Sequence, residues 1–171
     1  MKKIVIGIDV SKEKLDFCVK SAEKVIKELV VQNTTKAIGS SLKSIEKEYQ
    51  LSLSDLLICA EYTGQYIYPL CCVCAELKVD LWLENPAQIK LSSGFQRGKN
   101  DKIDARKIAD YALRYQDRVR LFSLPQKRIE SLKHLISERD MYLSDKRKYQ
   151  GQLTDQERFM SKEDYRKKRT D

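Results

Sequence analysis

One short stretch, Gly94-Phe95-Gln96-Arg97-Gly98-Lys99-Asn100-Asp101-Lys102-Ile103-Asp104, sets two carboxylates three positions apart behind a Gly-containing basic run. Basic side chains attract phosphate, and an acidic pair attracts cations. Together they describe a site where Arg97, Lys99 and Lys102 hold a phosphate backbone beside a metal ion bound by Asp101 and Asp104. Such a site needs further oxygen ligands from elsewhere in the chain. Asp9 and Glu61 are the candidates, because each closes an apolar run and has no evident structural duty there. Four inward carboxylates would repel one another and hold raised pKa values unless a cation compensates them. The ion that suits them is Mg²⁺, with Mn²⁺ as the substitute, since both are hard and take oxygen ligands. Two such ions ~4 Å apart activate a nucleophile and stabilise a leaving oxygen in phosphodiester chemistry. Taken singly, Asp101 reads as a helix cap and Asp9 as a loop start. The four together favour the metal site.

The elements that must position these residues follow from periodicity. Lys3 to Asp9 (KIVIGID) is a β-branched run and a buried strand. Leu15 to Lys20 and Lys24 to Gln32 read as second and third strands, and the short turns between them imply antiparallel neighbours. Asn33-Thr34-Thr35 offers caps for a helix from Lys36 to Tyr49, with Ile38, Leu42 and Ile45 at helical spacing. Asp55 to Glu61 is a continuous apolar run that reads as a strand inside the sheet. A helix over Leu70 to Lys78, a strand over Val79 to Glu84 and a short helix over Ala87 to Ser92 follow. From Asp101 to Gln116 a helix places Ala105, Ile108, Ala109 and Ala112 on one face, with both aspartates beside that stripe. Three antiparallel strands followed by strands joined through helical crossovers give a mixed α/β sheet of the ribonuclease H-like kind.

Composition narrows the function classes. The 171 residues are 42% hydrophobic and 34% charged, as in a folded, soluble domain. Lysine and arginine outnumber aspartate and glutamate by 33 to 25, a net +8 that leans towards a polyanionic partner. No apolar stretch approaches the ~20 residues that span a bilayer, so no membrane role is expected. No secretory signal is visible, and five cysteines, an odd number, fit free thiols in a cytoplasmic protein. Cys71, Cys72 and Cys74 lack a second ligand pair at zinc spacing and read as small buried apolar residues.

Four motifs then occur in order: Gly7-Ile8-Asp9-Val10-Ser11-Lys12 with Leu15-Asp16, Glu61-Tyr62-Thr63-Gly64, Asn85-Pro86, and Arg97-Gly98-Lys99-Asn100-Asp101-Lys102-Ile103-Asp104-Ala105. The combination resembles the DEDD transposases of bacterial insertion sequences, which are related to the pilin-gene invertase and carry a RuvC-like domain. The last block is specific; Gly-Ile-Asp alone also opens sugar kinase-type ATPases. The resemblance implies a RuvC-like domain over residues 1–125, with Asp9, Glu61, Asp101 and Asp104 as its Mg²⁺-binding acidic tetrad. It implies DNA as substrate, Lys12, Arg97, Lys99 and Lys102 as nucleic-acid contacts, and a guide RNA that bridges donor and target. It also implies a serine-bearing C-terminal domain, and no segment of 126–171 matches one.

From Gln126 to about Gln150, Ile129, Ile136 and Leu143 recur every seven residues, as in a long amphipathic helix that pairs with a second copy. Leu153 to Asp171 is almost wholly polar and reads as a solvated, frayed terminus. Three readings compete. The chain is the catalytic domain of a transposase, a nucleic-acid-binding and dimerisation module idle without a partner domain, or a stand-alone junction-resolving nuclease. An actin-like phosphotransferase would need more Gly-rich phosphate loops than six glycines provide.

Overall fold

The structure is a computed structural model describing residues 2–22, 24–93, 101–125, 127–159 and 161–163. Within these, the side chains of 93, 101, 102, 127, 128, 130 and 156–158 are not described. Arg97 and Lys99 therefore lie outside the described residues, as do the side chains of Asp101 and Lys102.

Three strands open the chain: β1 (Ile4–Val10), β2 (Lys14–Ser21) and β3 (Lys24–Gln32). Ser11 closes the first hairpin, its N–H and hydroxyl both donating to the Lys14 carbonyl at 3.0 and 2.8 Å. The second hairpin turns through Ala22, whose φ is +50°. Helix α1 (Thr35–Tyr49) starts at Thr34, whose hydroxyl accepts from the Ala37 N–H at 3.2 Å. It buries Ile38, Leu42 and Ile45, the stripe expected from their spacing. A short 3₁₀ turn over Leu53–Asp55 then leads into β4 (Leu56–Glu61).

Helix α2 (Tyr68–Leu77) carries Pro69 in its first turn, where the missing N–H has no intrahelical partner to lose. After β5 (Asp80–Glu84) come α3 (Pro86–Ser93) and α4 (Asp101–Arg114). The sheet order is β3-β2-β1-β4-β5, with β1 antiparallel to β2 and parallel to β4.

The two sheet faces have separate cores. Ile4, Ile6, Ile8 and Val10 point into the larger one, with Leu15, Phe17 and Val19 of β2 and the apolar faces of α1 and α2. Val5, Leu57, Cys59 and Trp82 point the other way, into a cluster with Ile89 of α3 and Ile108, Tyr111 and Ala112 of α4. Alternation along each strand, one side chain up and the next down, makes both cores from the same strands. Four of the five cysteines, Cys18, Cys59, Cys71 and Cys74, are buried, as their apolar neighbours in sequence predict. Beyond β5 the chain returns along that edge, with the Phe122 N–H donating to the Leu81 carbonyl at 2.7 Å.

The chain divides into two compact units, Met1–Leu124 and Pro125–Asp171. The second contains α5 (Lys127–Phe159), a 33-residue helix that corrects the expected frayed terminus beginning at Leu153. Polarity there removes a packing face but not helix propensity. Gln152 to Arg158 contains no Gly or Pro, and Gly151 costs only ~1 kcal/mol within a helix this long. Its apolar side chains crowd into the first half, where Ile129, Leu132, Leu135 and Ile136 are exposed.

Candidate functional site

Strand register decides where Asp9 and Glu61 stand. The last parallel pair of β1 and β4 is Ile8 with Ala60, so Asp9 and Glu61 come next on neighbouring strands at the carboxyl edge. Ile8 and Ala60 face the larger core, so the two carboxylates share the opposite face, the one covered by α4. That face continues sideways. Asp16 pairs with Asp9 across the antiparallel ladder, and Glu84 pairs with Glu61 across the parallel one. A row of four carboxylates, Asp16, Asp9, Glu61 and Glu84, thus crosses β2, β1, β4 and β5.

The outer two are already engaged. Asp16 is 4% exposed and bonded to the Lys14 ammonium at 3.0 Å. Glu84 accepts from the Tyr111 hydroxyl at 3.0 Å and from the Asn85 N–H at 2.7 Å. Burial, and then this bond, push the Tyr111 phenol up to about 12, so it stays a donor. Burial raises the pKa of Glu61 above the usual carboxylate value; Lys90 and Lys107 pull it down and Asp104 pushes it up.

Helix α4 brings the other half of the site. Gly7 lies directly beneath it, so close that a Cβ there would stand 2.3 Å from the Ala105 carbonyl oxygen and 2.3 Å from the Ala109 nitrogen. Val5 belongs to the same cluster as Ile108 and Ala112, so α4 runs antiparallel to β1. Its N-terminal end, beginning at Asp101, therefore overlies the end of β1 that carries Asp9. Asp104 accepts from the Lys107 ammonium at 2.9 Å, and its charge reaches Glu61. Two cross-links tie α4 to the sheet further along. Arg106 forks onto Glu28 of β3, with one arm at 2.8 Å, and the buried Lys20 of β2 pairs with Asp110.

Loops at the same edge are stitched together. The Asn33 amide nitrogen donates to the carbonyls of Ser11 and Tyr66, each at 2.9 Å. Lys12 is exposed on the turn two residues after Val10. Thr63, two residues after Glu61, has a buried hydroxyl oxygen without a hydrogen-bond partner among the described residues.

Of the expected tetrad, the fold brings Asp9 beside Glu61 by register and Glu61 into the field of Asp104. Among the described residues no three Asp, Glu, His or Cys side chains stand close enough to hold a metal ion. The donors present, carboxylate oxygens on a partly desolvated edge, are of the chemistry that suits a hard divalent cation. Sequence reasoning missed Asp16 and Glu84 as members of the row, and Lys90 and Lys107 as its cations. Asp16 and Glu84 had a signal, since each falls on the inward phase of its strand. Lys107 had one in its spacing of three from Asp104 on the expected helix, and Lys90 had none.

A five-stranded mixed sheet with an acidic carboxyl edge and a helix laid across it is a ribonuclease H-like fold of the RuvC type. Among solved structures, the chain is similar to Thermus thermophilus RuvC, with a TM-score of 0.52 and 14% identity over 70% of this chain and 99% of that one. It is also similar to Thermus thermophilus RuvC in complex with Holliday junction substrate, with a TM-score of 0.50 and 13% identity over the same shares. At such identity the likeness shows the fold. The model of the DEDD transposase family, described as Transposase, matches residues 6–156, and the chain belongs to that family. No curated protein matches the chain.

Proposed function

We propose that this chain is the metal-dependent catalytic domain of a DNA transposase, cleaving and transferring strands at the ends of an insertion sequence. The observation that carries the reading is the meeting of Asp9 and Glu61 on one face of one sheet edge, under the helix end that bears Asp101 and Asp104. Asp9, Glu61, Asp101 and Asp104 would hold Mg²⁺, or Mn²⁺ in its place. The bound ion supplies Lewis-acid stabilisation of charge on phosphate oxygens and a nucleophile ionised near neutral pH. The chain's own residues do the rest. Lys12, Arg97, Lys99 and Lys102 bind and orient the phosphate backbone, and burial around Glu61 keeps water from screening the charges. Family membership supports DNA as the substrate; the resemblance implies a guide RNA as a further partner, and the seven-residue spacing of Ile129, Ile136 and Leu143 supports assembly of copies through the helix over 126–150. Free cysteines fit a cytoplasmic site of action. Among the described residues no helix is long and apolar enough to cross a membrane.

The test uses the purified chain, branched and element-end DNA, Mg²⁺, and Asp9→Ala as control. Cleavage of element ends that the substitution abolishes is the expected result. A junction-resolving nuclease, the reading favoured by the likeness to a RuvC solved with a Holliday junction, would cut only four-way substrates. Salt-sensitive binding with no cleavage would reduce the chain to a binding module.

A further inference from the structure

The acidic edge carries a cation of its own. Lys107 sits one helical turn after Asp104 on α4, and its ammonium is bonded to the Asp104 carboxylate at 2.9 Å. An ordinary lysine of an exposed helix pair keeps its head in water and contributes little. This one is the more buried partner, 22% exposed against 37% for Asp104, so its side chain lies against the protein and not in open solvent. Its charge reaches Glu61 on β4 as well, where it acts with Lys90 of α3 against burial and Asp104. Lys107 is therefore bonded to one candidate metal ligand and within electrostatic reach of a second.

We propose that Lys107 is the resident counter-cation of the acidic edge, neutralising Asp104 in front of Glu61 until a divalent ion takes its place. The proposal rests on the reading above that these carboxylates hold a divalent ion, and it adds a positioning residue to that site. Without the ammonium, two carboxylates would face each other across a partly desolvated edge. With it, α4 can stay docked on β1 in the metal-free protein. A divalent ion must compete with Lys107 for the Asp104 oxygen, so metal affinity in the absence of nucleic acid is held down. Once displaced, the ammonium stays attached to the helix that carries Asp104, next to the edge where phosphate would bind.

The experiment measures Mn²⁺ binding to the whole chain without nucleic acid, from the electron paramagnetic resonance signal of the free ion. Wild type is compared with Lys107→Gln and Lys107→Arg, both of which keep good helix formers at a helical surface position. Lys107→Gln is expected to bind Mn²⁺ roughly tenfold more tightly, since one competing positive charge has gone. Its metal-free melting temperature should fall and its metal-bound one should not. Lys107→Arg should stay close to wild type in both. A lysine with a merely structural role would leave Mn²⁺ affinity unchanged or weaken it on removal, and either result overturns the proposal. Binding of Mn²⁺ by neither wild type nor variant would overturn the metal-dependent function as well.

Discussion

Replacing Gly7 by alanine tests whether the α4–β1 contact sets the site. The added Cβ would meet the Ala105 carbonyl oxygen and Ala109 nitrogen at 2.3 Å and the Ala109 Cα at 2.8 Å, against 3.4 Å for ordinary contact. All three are backbone atoms, so no side-chain rotation relieves the clash, and α4 must lift by the difference, about 1 Å. Overpacking of this kind costs ~1–3 kcal/mol. For a chain this long that lowers the melting temperature by roughly 2–12 °C. The helix that lifts bears Asp104 and begins at Asp101, while Asp9 and Glu61 remain on the strands. A displacement of ~1 Å at reacting groups costs on the order of 100-fold in rate. Denaturant unfolding and Mn²⁺ affinity should therefore both worsen in Gly7→Ala. Gly39→Ala is the control: its Cβ would meet nothing nearer than Val73 Cγ1 at 3.8 Å. Lying within α1, that substitution should stabilise by up to ~1 kcal/mol and leave the metal site alone. Equal stability of Gly7→Ala and wild type, or unchanged Mn²⁺ affinity, would refute the argument that this contact positions the site.

Two further expectations concern charge and assembly. Burial raises the folded-state pKa of Glu61 above its ordinary 4.5, so the metal-free folded protein holds this proton more tightly than the unfolded chain does. Its ionisation therefore costs stability as pH climbs from 4.5 through the higher folded value, and not at all in acid. Glu61→Gln should accordingly melt ~1–2 °C above wild type at neutral pH and converge with it near pH 4. An advantage that is absent at neutral pH, or that grows in acid, would contradict this. For the second unit, Ile129→Asp with Ile136→Asp places charges at two exposed positions of α5, so helix formation should survive. Sedimentation should shift from an assembled species to a monomer, and an unchanged profile would sink self-association through this helix.

Much of the fold was legible because strands and helices here obey simple periods. Lys24 to Gln32 was bounded correctly from its β-branched residues, and Ile38, Leu42 and Ile45 marked the buried face of α1. The Ala105, Ile108, Ala109 and Ala112 stripe announced the face of α4 that meets the sheet. Legibility failed at the C-terminus, where a lack of apolar residues was mistaken for a lack of helix. A polar sequence reports the absence of a packing partner, and α5 has its hydrogen bonds within itself.

By itself the sequence determined which residues could do the chemistry: carboxylates that end apolar runs, and two aspartates a helical turn apart beside basic side chains. It also determined the order of elements, because that order is written in local periodicity. Only the tertiary structure decided which carboxylates meet. Parallel register between β1 and β4 sets Asp9 beside Glu61, and the pairings with β2 and β5 extend the row to Asp16 and Glu84. The missing Cβ of Gly7 lets α4 approach closely enough to bring Asp104, and Lys107 with it, to the same edge. Lys107 shows the physical reason. Its pairing with Asp104, three positions back on the same helix, is local, but Glu61 lies on a strand distant in the chain, and only packing brings it within reach of the same charge.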